Sequence, residues 1–114
     1  MAQPKPVQVL MYIGDDIFVG TSNNFGPEGI LIQMSDPPML GTPVKLKLQF
    51  PDLPNAIEAA GEVVWTNPYG TGDAYVPKGC AVKFKGLPSD VASALNNLSF
   101  QYHQSGDPLK FYYS

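Results

Sequence analysis

At 114 residues and 44% hydrophobic content, the chain suits one domain whose own core holds it without metal or disulfide. A formal net charge of −3, with lysine as the sole cationic side chain and no arginine anywhere, argues against the clustered cations of a nucleic-acid or anionic-membrane footprint. The single Cys80 excludes an internal disulfide, no signal peptide is visible, and no stretch reaches the roughly 20 apolar residues of a membrane span, so a cytoplasmic setting without membrane insertion is expected.

Residues 1–6 are polar, contain two prolines and read as a flexible arm. Val7, Val9 and Met11 then alternate with Gln8, Leu10 and Tyr12, the period of a strand. Gly14, Asp15 and Asp16 signal a turn before "DIFVGTS", a second strand. A loop over Asn23–Gly29 leads into "ILIQM", which stops at Pro37-Pro38 because proline gives no donor to a ladder. In "GTPVKLKLQF", Val44, Leu46, Leu48 and Phe50 face one way while Lys45, Lys47 and Gln49 face the other. "IEAAGEVVW" forms a fifth strand in which Gly61 marks a bulge or bend. "TNPYGTGDAYVPKG" is an excursion, and "CAVKFKG" returns as a sixth strand with Cys80, Val82 and Phe84 inward.

From Pro88 the period lengthens. Val91, Leu95, Leu98 and Tyr102 make an apolar helical stripe, started near Leu87-Pro88 or Ser89, with Asp90 in the first turn and Gly106 and Pro108 as stops. The expected organisation is an arm over 1–6, a barrel plus helix over 7–105, and an aromatic tail over 106–114. Six short strands without a long crossover predict a mostly β fold, a small antiparallel barrel with a C-terminal helix at one end.

Reactive groups are sparse. Cys80 and His103 are a conceivable nucleophile and base, but Cys80 falls on the inward face of its strand. One His and one Cys supply too few ligands for a metal, no glycine-rich phosphate loop precedes a lysine, and Asp15-Asp16 lies in a turn. The expectation is a non-enzyme with no cofactor. Lys45, Lys47, Lys83 and Lys85 read as the wet side of their strands, so nucleic acid is not expected as a partner.

The run "GILIQM", "LGTPVKLKLQFPD", "AAGEVVW", "GCAVKF", "LPSDVASAL", from about Tyr12 to Leu98, resembles the PilZ domain family. The resemblance implies a six-stranded barrel with a C-terminal helix. Many family members are receptors for cyclic di-GMP, using an Arg-x-x-x-Arg element before the first strand and an Asp/Asn-x-Ser-x-x-Gly turn. Here the turn motif falls on Asn24 to Gly29, with Asn24 and Gly29 in place and Gly26 where serine stands, and the arm offers only Lys5. Arginine's planar fork meets a guanine edge with two parallel bonds, whereas lysine is a mobile point charge, so the departure predicts weak or absent binding.

The resemblance also implies a role similar to that of short PilZ-like adaptors of type IV pilus assembly. Those contact a pilus-assembly ATPase or a degenerate phosphodiesterase-like domain in motility or polarity signalling. Expected partner surfaces are Phe25 and Pro27, Pro37 and Met39, Tyr69 and Tyr75, and the tail residues Phe111 and Tyr112, since aromatics and Met are enriched at interface centres. The alternative is a cyclic di-GMP receptor with a non-standard site built on Lys5 and Asn24.

Overall fold

The computed structural model describes residues 5–69 and 78–102. Six strands, β1 (Val7–Ile13), β2 (Asp16–Phe25), β3 (Gly29–Gln33), β4 (Pro43–Gln49), β5 (Ile57–Asn67) and β6 (Gly79–Phe84), precede one helix, α1 (Ser89–Ser99). All ladders are antiparallel, and the order β1-β2-β3-β6-β5-β4 closes on itself through the β1–β4 pairing. The fold expected from the strand count is the fold observed.

Alternation decides which side chains fill the barrel. Val7, Val9 and Met11 from β1 and Val44, Leu46 and Leu48 from β4 are all buried, while the intervening Gln8, Lys45, Lys47 and Gln49 face water. Cys80, Val82 and Phe84 complete the lining from β6, as their spacing predicts. A second, smaller cluster lies on the outside, where Leu31 and Ala81 are covered by Val64 and Trp65.

The β1–β2 hairpin turns on two residues. Gly14 adopts φ 59 and Asp15 has no positive φ, which is the arrangement with glycine first that matches strand twist. Gly61 is not itself the bulge: the register slips between Val63 and Trp65, while a Cβ at Gly61 would collide with the Lys83 carbonyl oxygen and lie 2.7 Å from Val82 Cγ1. The glycine is there for close approach of β6.

Helix α1 closes the end of the barrel where β2 and β4 finish. Leu95 is fully buried, Val91, Leu98 and Tyr102 pack on the core, and Phe25, Phe50 and Tyr102 meet edge to face with centroids 5.2–6.4 Å apart. The apolar stripe is as expected, but the helix stops at Ser99, ahead of Gly106: Gln101 and Tyr102 bond back to Leu98 and Ser99 in tightened turns. Its N-cap is Pro88, with no side-chain cap, so Ser89 is the first helical residue.

Candidate functional site

The residues that match the ligand turn of the resembling family sit where β2 passes into β3. The sequence suggests a loop from Asn23; instead β2 runs through Phe25, and only Gly26, Pro27 and Glu28 connect it to β3. Asn24 is therefore a strand residue paired with Leu31, just past a register shift that begins at Thr21. Its backbone N–H donates to the buried Ser22 hydroxyl at 3.2 Å, a local bond that steadies the shifted segment. Gly26 N–H donates to the Gly29 carbonyl at 2.9 Å, and Phe84 N–H donates to that of Glu28 at 2.9 Å. Neither Gly26 nor Gly29 takes a positive φ, so the turn closes without the left-handed geometry that glycine permits.

Phe25 corrects the expectation of a contact surface at this loop. Its ring is fully buried against Phe50 and Tyr102, because the pleat of β2 sends position 25 inward with the core. Pro27 is half-buried. Lys5 is exposed, and the β1–β2 register, ending at Val7 opposite Ser22, leads it toward the same end of the barrel as Asn24. Its carbonyl accepts a hydrogen bond from the Tyr102 hydroxyl at 3.0 Å, which ties the arm to the segment after α1. One lysine and one half-buried amide supply no planar fork for a guanine edge.

The remaining sequence-predicted surfaces are dispersed. Met39 is 80% exposed and Tyr69 is 90% exposed, while Pro37 is half-buried. Tyr75, Phe111, Tyr112 and His103 lie outside the described residues, as does most of the arm and the whole 106–114 tail.

Cys80 is sealed in the barrel, its thiol 3.8 Å from Met34 Sδ, and burial pushes its pKa up to about 12. A thiol held neutral and out of reach is no nucleophile. Among the described residues no three acidic, His or Cys side chains converge as a metal site, and no helix is long and apolar enough to cross a membrane.

One concavity went unrecognised in the sequence. An open groove of about 610 Å³ runs across the outer face of β4, bounded by Tyr12 on β1, Glu58 and Ala60 on β5, and the Lys85–Pro88 connection to α1. Lys45, Lys47 and Lys85 all line it, and Lys47 Nζ stands 5.6 Å from the centre of the Tyr12 ring. Only the cross-strand register brings them together: Tyr12 pairs with Lys45, and Lys45 with Ala60. Each strand's alternation was visible, but its neighbour was not.

No curated protein and no solved structure matches the chain significantly. The family model described as PilZ domain matches residues 3–101, which takes in every strand and the helix. With a closed six-stranded barrel, its helix at one end and that match over most of its length, the chain belongs to the PilZ domain family.

Proposed function

We propose that this chain is a non-catalytic adaptor that binds a protein partner in bacterial motility, type IV pilus or polarity signalling, and does not itself bind cyclic di-GMP. The observation that carries this reading is the end of β2, where Phe25 is turned into the core and Gly26 stands at the serine position, in a chain without arginine. The ligand is a dianion with two guanine edges, and removing one bidentate pair of bonds to guanine costs about 1–3 kcal/mol, or one to two decades of affinity. The PilZ family includes both cyclic di-GMP receptors and protein-binding members, and the missing donors favour the second. A pilus-assembly ATPase, a phosphodiesterase-like domain or another motility regulator is the class of partner, in the cytoplasm.

Calorimetric titration with cyclic di-GMP tests the reading. The expected result is no saturable heat, with Lys5→Ala indistinguishable from the parent chain. Saturable heat that Lys5→Ala or Asn24→Ala abolishes would establish a non-standard nucleotide site in its place.

A further inference from the structure

The outer face of the barrel beside the β4 groove is apolar where solvent-facing strands are ordinarily polar. Ile17 and Val19 on β2 are 59% and 66% exposed, and Leu10 on β1 is 37% exposed. Register makes them one patch: Leu10 pairs with Val19 and Tyr12 with Ile17. The same two rows continue across β1 into β4, where Leu10 pairs with Lys47 and Tyr12 with Lys45. An apolar half on β1–β2 thus runs without a break into a lysine half on β4 and the start of the α1 connection. Leu10 and Val19 stabilise the β1–β2 ladder a little as a cross-strand pair, but the exposure of Ile17 and Val19 leaves most of their apolar area in water, as an interaction surface does.

The charge beside it leans positive, Lys45, Lys47 and Lys85 against the carboxylates of Glu58, which stands directly across from Lys47 in the β4–β5 register, and Glu62. Lys85 is held at 2.8 Å by Glu62, and among the described residues no ion pair engages Lys45 or Lys47. In a chain whose net charge is −3, this face carries cations beside exposed aliphatics.

Resting on the adaptor reading above, we propose that this two-part face is where the protein partner docks, and that the partner contributes a segment in which aliphatic or aromatic side chains adjoin carboxylates. The apolar side chains seat on Leu10, Ile17 and Val19, and the carboxylates lie in the groove against Lys45 and Lys47. Charge complementarity selects the acidic segment, since apolar contact alone would accept any greasy peptide. Among the described residues the strands close into a barrel without a free edge, so recognition on this face is by side chains.

The test pans a random peptide display library against the intact chain and measures resynthesised winners by fluorescence anisotropy. Enrichment of Asp or Glu next to aliphatic or aromatic residues is expected. Binding should weaken by about tenfold or more in the Lys45→Glu, Lys47→Glu double variant and in Ile17→Asp, and fall as salt rises from roughly 0.05 M to roughly 0.5 M. Both variants alter exposed positions, and circular dichroism checks that each remains folded. Winners that are neutral or basic, or that ignore both variants, overturn this docking face while leaving the adaptor reading intact. Self-association that Ile17→Asp abolishes overturns it in favour of a second copy as occupant. Saturable binding of cyclic di-GMP that the lysine variant removes overturns both readings.

Discussion

At the scale of single residues, Phe25 carries the clearest lesson. Next to Gly26 and Pro27 it has the neighbours of a loop aromatic, and nothing local tells that β2 extends to reach it. Its burial follows from the pleat and from Phe50 just past β4 and Tyr102 just past α1, which no window of sequence around position 25 contains. Phe25→Ala removes the ring at the middle of that trio and should cost about 3–5 kcal/mol of stability, read as a lower urea midpoint. An unchanged midpoint would place the ring outside the core. Cys80, by contrast, was legible, because inward alternation in "CAVKF" fixes its side. Its thiol ionises near pH 9 in the unfolded chain and only near 12 in the folded one. The folded state therefore has its full advantage below pH about 9 and loses it progressively as pH rises toward 12. Cys80→Ala should flatten that alkaline fall in stability, whatever it costs at neutral pH, and the native thiol should react with a disulfide reagent only at the rate of unfolding.

At the scale of elements, strands with one wet face wrote their burial directly into the sequence. β4 is the plainest case, with Val44, Leu46 and Leu48 inward and Lys45, Lys47 and Gln49 outward after the exposed Pro43 that opens it. β3 reads as a continuous apolar run because it is covered on both faces, by the core and by Trp65 outside. Glycine was harder to read. Gly61 has the look of a bend, yet its function is to let the β6 backbone pass close by. Gly61→Val should therefore destabilise the protein by about 1–3 kcal/mol and loosen hydrogen-exchange protection along β5 and β6 more than along β1 and β2. Uniform loosening would point to a global effect of the substitution. The helix was recognised by its stripe, but its end was not, since Ser99 to Tyr102 tighten into turns before any residue that forbids helix.

At the scale of the whole molecule, strand count and short connections were enough to specify an antiparallel barrel, whereas the pairing that closes it was not in view. β1 meets β4 across more than thirty intervening positions of sequence, roughly, and the lysine groove exists only because of that meeting. This is why Lys45 and Lys47 read as an ordinary wet face in isolation and line a groove in the fold. The same closure has a bearing on how the protein is made. β3 acquires its second neighbour only from β6, and β5 can join β6 only then. At about 5–20 residues per second, a growing chain holds β3 with one bare edge for several seconds before β6 leaves the ribosome. During that interval "GILIQ" is an uncapped apolar strand among other nascent chains, so the last strand to be synthesised is also the one that ends the risk of mispairing.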